Sequence, residues 1–175
     1  MAEIKKFIPL LLRHEGGYTN NPNDKGNYNS KGELVGTKYG ISAKVYEEYF
    51  DKIPTELDMR TITPDQFETV ARNYWDAWSA DLIDSQAVAN FLVDWYYNSG
   101  AWGIKLPQRF LHLKEDGIVG PKTIAAVNSS DPYLLFIGLK QERKEFIENI
   151  VKHNPPQAVF LNGWLNRIAS FNYAG

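Results

Sequence analysis

Apolar residues recur at helical spacing at the start of the chain. Five of them fall on one face of a helix with 3.6 residues per turn: Ile4, Phe7, Ile8, Leu11 and Leu12. Gly16-Gly17 then ends the pattern, because glycine disfavours a helix interior and commonly follows a helix end. The sequence therefore predicts a first helix over residues 2–15.

A long polar segment follows this helix. Residues 18–36 are dense in Asn, Gly, Asp, Ser and Lys, which favour turns, and predict a polar loop or a small β-hairpin. Further on, Thr63-Pro64-Asp65-Gln66 is a capping box with proline at the first helical position. Spacing and capping signals predict later helices near 43–52, 64–78, 85–98, 103–113, 120–128, 131–152 and from 155 onward.

The pattern thus indicates a mainly α-helical protein without internal repeats or a linker. We expect an N-terminal lobe over residues 1–90 and a helical C-terminal lobe over 91–175, packed as one compact unit. Trp75, Trp78, Trp95 and Trp164 are expected to pack the core, and Trp102 beside Gly100 and Gly103 to be exposed.

Composition excludes several classes of function. The net charge of −2 and the pI near 5.9 argue against a nucleic-acid partner, which normally requires a basic face. The absence of cysteine excludes disulfides and thiolate metal sites. The three histidines, at positions 14, 112 and 153, lack metal-ligand spacing, so neither a metal nor a cofactor is predicted.

No apolar run approaches the roughly 20 residues that cross a bilayer, so no membrane span is predicted. The run from Phe7 to Leu12 stops at Arg13 and lacks a cleavage site, so we interpret it as part of a mature helix rather than a signal peptide. Such a protein would be made in the cytoplasm and would need another protein to reach a target outside it.

Glu15 is the first candidate for chemistry. It lies four residues after Leu11 on the apolar face and close to the helix C-terminus. Burial and the negative end of the helix dipole both disfavour a carboxylate, so we expect a raised pKa at Glu15, as a general acid requires. The alternative is a helix-terminal glutamate paired with Arg13 or another cation.

Several spaced blocks then resemble the glycoside hydrolase 108 muramidases, whose signature is E-G-G-Y, N-x-P-x-D and T-x-x-G-I-T/S. The matching segments are His14-Glu15-Gly16-Gly17-Tyr18, Asn21-Pro22-Asn23-Asp24 and Thr37-Lys38-Tyr39-Gly40-Ile41-Ser42, with further similarity at Asn73–Asp76, Asp94 to Gly100, Asp116 to Thr123 and Gly163–Arg167.

This resemblance covers almost the whole chain. It implies a lysozyme-like helical fold, N-acetylmuramide glycanhydrolase activity with the E-G-G-Y glutamate, Glu15, as catalytic residue, and a peptidoglycan-binding region from about residue 91. Peptidoglycan glycan strands are then the expected partner, reached in the periplasm after release by a holin or an export partner, as for a prophage endolysin.

Two further residues are assigned to catalysis. Asp24 follows Glu15 by nine positions, a spacing similar to that of the phage-type lysozymes, whose Glu, Asp and Thr surround the scissile bond. Thr37 would supply the hydroxyl that positions water. Asp24 is alternatively a turn-forming residue. The chain also departs from the family pattern by an insertion at residues 27–36, which makes Ser30 a competing hydroxyl.

Substrate contacts are predicted for six residues, namely Tyr18, Tyr39, Asp94, Tyr97, Asn98 and Trp102. Tyrosine, asparagine and tryptophan side chains stack on sugars or bond N-acetyl groups, but each also occurs in packing. Asp94 lies within an apolar run and is alternatively a buried acid that bonds a backbone amide or a tyrosine hydroxyl. Two other functions stay open: a lytic transglycosylase, and a catalytically inactive protein that binds the wall or assists secretion.

Overall fold

The computed structural model describes residues 1–174, and this part of the chain is mainly α-helical, as the sequence predicts. Its α-helices are α1 (Ile4–His14), α2 (Ala43–Phe50), α3 (Glu56–Arg60), α4 (Pro64–Ala77), α5 (Gln86–Ser99), α6 (Trp102–Phe110), α7 (Pro121–Ser129), α8 (Pro132–His153) and α9 (Ala158–Ser170). Short 3-10 helices occur at Lys25–Asn27, Ala80–Leu82 and Pro155–Gln157.

The polar segment after α1 is a hairpin-like loop. Within residues 1–174, strand-type pairing is limited to three antiparallel bridges, which join Thr19 to Thr37, Tyr28 to Leu34 and Lys38 to Ile41. The small hairpin expected from the turn-rich sequence is therefore present, without an extended sheet.

Capping side chains set the helix starts that the sequence predicts. The Gln66 backbone N–H donates to Thr63 Oγ1 over 3.2 Å, and the Thr63 backbone N–H donates to Gln66 Oε1 over 3.0 Å. These two bonds complete the capping box of α4. Ser85 accepts a hydrogen bond from the Val88 N–H over 3.4 Å at the start of α5. Both helices therefore begin where their capping signals lie.

Helix α3 is absent from the sequence prediction. Its capping box pairs Thr55 with Asp58, through an Asp58 N–H to Thr55 Oγ1 bond of 3.2 Å and a Thr55 N–H to Asp58 Oδ2 bond of 2.9 Å. The helix has only five residues, too few to show periodicity, and its box ends in Asp rather than the usual Glu or Gln.

The chain divides into two compact units. One comprises residues 5–73 and the other residues 1–4 together with the chain from Tyr74 onward, so the division falls inside α4. The boundary near residue 90 expected from sequence lies within the continuous helix α5.

In the unit from Tyr74 onward, α5 is the central helix. Its residues 87–95 are all buried, and it packs against α6 and α8, while α8 packs against α9. Trp75, Trp78 and Trp95 are completely buried, as predicted. Trp164 was expected in the core, and that was wrong: it is partly exposed, because it lines a pocket.

No helix within residues 1–174 is both long enough and apolar enough to cross a bilayer.

Acid should weaken the capping of α3. The Lys52 ammonium and the Thr55 backbone amide hold the pKa of Asp58 at about 2, below its usual value. Because the folded value is the lower one, the stabilisation is complete above the unfolded value near 4 and is lost as the pH falls towards 2. We expect Asp58→Asn to lower the free energy of unfolding by roughly 1–2 kcal/mol at pH 7 and by about half as much at pH 3.

Urea unfolding at both pH values measures this difference. The control is Glu48→Gln, since Glu48 is exposed and forms no ion pair within the described residues. A deficit for Asp58→Asn that is the same at pH 7 and pH 3 would contradict the assigned ion pair.

Candidate active site

Glu15 directly follows α1 in the unit of residues 5–73. Its backbone N–H still donates to the Leu11 carbonyl over 3.1 Å, so the helical path continues to this residue. Phe7, Ile8 and Leu11 on the same face are buried, and Glu15 is partly buried. The glutamate therefore lies on the apolar face of α1, as its spacing predicts.

The segment after Glu15 pairs with a distant part of the chain. The Tyr39 N–H donates to the Gly16 carbonyl over 3.2 Å, and Thr19 and Thr37 exchange two backbone hydrogen bonds of 2.9 and 2.8 Å. We call residues 16–19 together with residues 37–39 the ribbon. It places the T-x-x-G-I-S block beside the E-G-G-Y block, although residues 19–36 lie between them in sequence.

A tight turn, Lys38 to Ile41, begins within the second segment of the ribbon. Lys38 and Ile41 exchange backbone hydrogen bonds of 2.8 and 3.2 Å across it. Its central residues Tyr39 and Gly40 have φ values of 53° and 73°, the mirror-image turn geometry that favours glycine. Ile41 is then buried and Ser42 caps α2. This geometry explains why the motif needs glycine before the apolar residue.

Tyr18 connects the ribbon to its surroundings. Its hydroxyl lies 3.0 Å from the Val35 carbonyl oxygen and 3.2 Å from Glu56 Oε1. Burial and the Glu56 carboxylate raise its pKa, so the hydroxyl stays a neutral donor. The Arg60 guanidinium lies 4.0 Å above the ring, which is cation–π geometry. Contact of Tyr18 with substrate stays a prediction.

Lys38 holds the other segment of the ribbon. Its ammonium donates to the Arg60 and Ile62 carbonyl oxygens over 2.8 and 3.0 Å, at the C-terminal end of α3. Cations favour this end of a helix, where carbonyl groups lack helical partners. Next to it Tyr39 is partly buried and contacts the Phe67 ring edge to face at 5.8 Å. The missed helix α3 thus helps fix the predicted site.

Asp24 and Thr37 meet at Gly26. Asp24 is exposed, and its Oδ1 accepts the Gly26 N–H over 2.8 Å at the start of a 3-10 turn. The Thr37 hydroxyl oxygen lies 3.5 Å from the Gly26 carbonyl oxygen. Asp24 therefore forms the turn proposed as its structural role, and Thr37 contacts the same turn at the Gly26 carbonyl.

The insertion at residues 27–36 folds back on its own base. Both Val35 N–H and Gly36 N–H donate to the Asn27 carbonyl oxygen, over 2.8 and 2.9 Å. Ser30 lies at the far end, where its N–H donates to Glu47 Oε1 over 2.8 Å. The insertion therefore leaves Thr37 beside Gly26 and holds Ser30 against α2.

The remaining predicted residues belong to the unit from Tyr74 onward. Asp94 is completely buried between two arginines: Arg143 donates to Oδ2 over 2.8 Å, and Arg167 donates to Oδ1 over 2.7 Å. These partners are not the backbone amide or tyrosine hydroxyl expected from sequence. A side chain so enclosed does not face solvent, so the geometry gives no support to a substrate contact by Asp94.

Tyr97, Asn98 and Trp102 lie at the end of α5 and the start of α6. The Tyr97 ring is partly buried and contacts Tyr74 at 4.7 Å. Asn98 and Trp102 are exposed and line one pocket, and Trp102 has half of its surface accessible. The predicted exposure of Trp102 is thus confirmed.

Comparison with protein families identifies the chain. Residues 8–100, more than half of it, match the family model described as glycosyl hydrolase 108. The chain belongs to this family. Residues 102–169 match a second model, described as a predicted peptidoglycan domain. Together the two matches indicate a glycosidase that acts on peptidoglycan.

A solved structure supports the fold of this family 108 glycosidase. The chain is similar to the solved structure of SagA from Brucella abortus, with 24% sequence identity and a TM-score of 0.70. The similarity covers 94% of this chain and 88% of that one. At this identity the likeness concerns the fold. No curated protein matches the chain.

No role was assigned from the sequence to Arg143 or Arg167, the two arginines that bind Asp94, although a signal exists for Arg143. Arg143 lies between Leu139 and Ile147 on the buried face of α8, so an arginine occupies a core position. Asp94 occupies a core position of α5, and opposite charges at two core positions predict an ion pair. For Arg167 on α9 the sequence gives no comparable signal.

Packing of Tyr18 against Gly36 can be tested with a matched pair of glycines. A Cβ at Gly36 (φ +86°) would lie 2.5 Å from the Tyr18 ring, whereas a Cβ at Gly32 (φ +77°) would meet open space. Both alanine variants carry the left-handed backbone cost, but only Gly36→Ala adds the clash. We expect Gly36→Ala to lose about 1–3 kcal/mol more unfolding free energy than Gly32→Ala, as measured in urea.

A double-mutant cycle provides the control. In a Tyr18→Ala background the extra cost of Gly36→Ala should disappear, since the ring is gone. If the two glycine variants lose the same unfolding free energy in the unmodified chain, the Tyr18 ring does not pack against Gly36.

Proposed function

We propose that this family 108 glycosidase hydrolyses the β-1,4 bond between N-acetylmuramic acid and N-acetylglucosamine, with Glu15 as the general acid. The observation that carries the proposal is the position of Glu15: partly buried, at the end of an apolar helix face, and directly followed by the ribbon. It is also the glutamate of the E-G-G-Y block, within the part of the chain that matches the hydrolase family.

The chemistry requires a proton for the leaving sugar oxygen. A glycosidase acid must hold that proton near neutral pH, and contact with apolar surface favours the protonated form of a carboxyl group. The apolar residues that precede Glu15 on the same face of α1 are buried, which supports such surroundings for its carboxyl group. In the proposed reaction Glu15 protonates the oxygen that leaves as the glycosidic bond breaks.

The developing positive charge on the sugar ring needs a second group. Asp24 is exposed and lies in a polar segment of the chain. Such a position suits a carboxylate that stabilises this charge or acts as a base. Thr37, beside the same Gly26, would orient the attacking water. This pair favours hydrolysis over a lytic transglycosylase, which forms an anhydro product without water.

The hydrogen bonds that join the two ends of the insertion are relevant to the alternative of an inactive wall-binding protein. The insertion at residues 27–36 could make the protein inactive in two ways, by displacing Thr37 or by blocking the cleft, and the structure bears on the first. Because Asn27 accepts hydrogen bonds from Val35 and Gly36, Thr37 stays beside the Asp24 turn. The geometry therefore favours an active enzyme. Its substrate lies outside the cytoplasmic membrane, so we propose that a holin or an export partner gives it access.

Removal of the proposed acid gives the primary test. We expect Glu15→Gln to reduce the release of reducing sugar from purified peptidoglycan by roughly a thousandfold or more, because the amide cannot supply the proton. The melting temperature should stay close to that of the unmodified protein. Glu48→Gln, at an exposed position of α2, is the control and should keep full activity. A folded Glu15→Gln variant with normal activity would overturn the assignment.

The two hydroxyl candidates can be separated in the same assay. We expect Thr37→Ala to lower kcat by roughly 10²-fold, because the positioned water is lost, and Ser30→Ala to leave kcat unchanged. Mass spectrometry of the products should give reducing N-acetylmuramic acid ends rather than anhydro ends. A loss of activity in Ser30→Ala alone would place the water elsewhere.

A further inference from the structure

A pocket of about 280 Å³ lies within the unit from Tyr74 onward, and its lining includes none of the residues proposed for catalysis. It is formed by the end of α5, the start of α6, and helices α8 and α9. Its main lining residues are Asn98, Trp102, Phe146, Ile150, Trp164 and Arg167. This size is near the lower end of small-molecule sites, so it suits one sugar ring rather than a long segment.

The walls of the pocket are aromatic and exposed. Trp102 has half of its surface accessible, whereas Trp75, Trp78 and Trp95 in the same unit have none. Phe146 lies beside Trp102 at 6.3 Å, with the rings inclined by 39°. Core packing therefore explains three tryptophans, whereas Trp102 is half exposed and Trp164 is partly exposed at the pocket.

The two arginines that line the pocket are fixed in position by an ion pair. Arg143, with 5% of its side chain exposed, and Arg167 both donate to the buried Asp94 carboxylate. Burial lowers the pKa of Arg143, and the neighbouring carboxylate opposes that shift. This ion cluster joins α5, α8 and α9, so the pocket is preorganised before any ligand binds.

Asn98 presents a specific hydrogen-bonding group at the pocket. Its Nδ2 donates to the Asp94 backbone carbonyl over 2.8 Å, which fixes the amide orientation. Within the described residues its Oδ1 accepts no hydrogen bond. A ligand N–H, such as that of an acetamido group, is the complementary donor.

We infer that this pocket binds a single N-acetylhexosamine ring of a glycan strand, stacked on Trp102 and Trp164 and bonded through its acetamido N–H to Asn98. The inference rests on the proposed function, since it names the sugar through which the enzyme holds its polymeric substrate. Aromatic faces match the apolar face of a pyranose, and the amide oxygen distinguishes an acetamido sugar from plain glucose.

The indole N–H signals of the five tryptophans provide a direct test by two-dimensional NMR. On titration with the trimer of N-acetylglucosamine, we expect the signals of Trp102 and Trp164 to shift while those of the three buried tryptophans stay in place. Cellotriose, which lacks acetamido groups, should cause no comparable shift. Signals are assigned from Trp102→Phe and Trp164→Phe variants.

Two substitutions locate the effect. Trp102→Ala should weaken binding of the trimer by roughly tenfold or more, as expected for loss of a central aromatic contact. Tyr133→Ala, which removes another half-exposed aromatic side chain outside the pocket, should bind like the unmodified protein. Equal binding by both variants would overturn the inference. It would also be overturned if the free stem peptide of peptidoglycan, titrated separately, shifts the Trp102 signal and the trimer does not.

Activity distinguishes a failure of this inference from a failure of the proposed function. If the trimer leaves Trp102 unaffected while reducing sugar is still released from peptidoglycan, the pocket assignment fails and the hydrolase stands. If no reducing sugar is released, the hydrolase proposal fails, and the NMR titration still decides whether the pocket binds the sugar.

Discussion

The backbone pairing of residues 16–19 with residues 37–39 is the constraint on which the candidate site depends. Glu15 ends the apolar face of α1, and the chain turns into this ribbon at the next residue. Each bond of the ribbon fixes main-chain groups, so Thr37 is located by backbone geometry rather than by its own side chain. Loss of this pairing would separate the three sequence blocks that mark the family.

Side chains around the ribbon explain why so polar a loop keeps one conformation. Lys38 binds the carbonyl end of α3, and Tyr18 lies between Gly36 and the Arg60 guanidinium. The Asn27 carbonyl oxygen, at the start of the insertion, accepts hydrogen bonds from Val35 and Gly36 at its end. An enzyme site requires such support, because a small displacement of a catalytic group lowers the rate strongly.

Sequence reasoning succeeded where the signal was local. Helical spacing and capping boxes predicted α1, α4 and α5, and the turn-rich composition predicted the hairpin. It failed where the determinant was a distant contact. The partners of Asp94 lie 49 and 73 residues away, so no local pattern shows that both arginines meet at this carboxylate.

The candidate site divides in the same way. The family motif singled out Glu15, but only the folded chain shows that an insertion can close on itself and leave Thr37 beside the Asp24 turn. Likewise the sequence predicted that Trp102 is exposed, but only the structure shows that Trp164 is also partly exposed. Motifs therefore supplied the chemistry, and tertiary contacts supplied its arrangement.

The central claim is that the side chain at position 15 donates a proton to a glycosidic oxygen. A crystal structure of the Glu15→Gln variant with a bound peptidoglycan oligosaccharide tests it most directly. The account predicts the side chain of residue 15 at about 3 Å from the oxygen that links N-acetylmuramic acid to N-acetylglucosamine. An oligosaccharide bound with another carboxyl group at that oxygen, and residue 15 remote from it, would contradict the account.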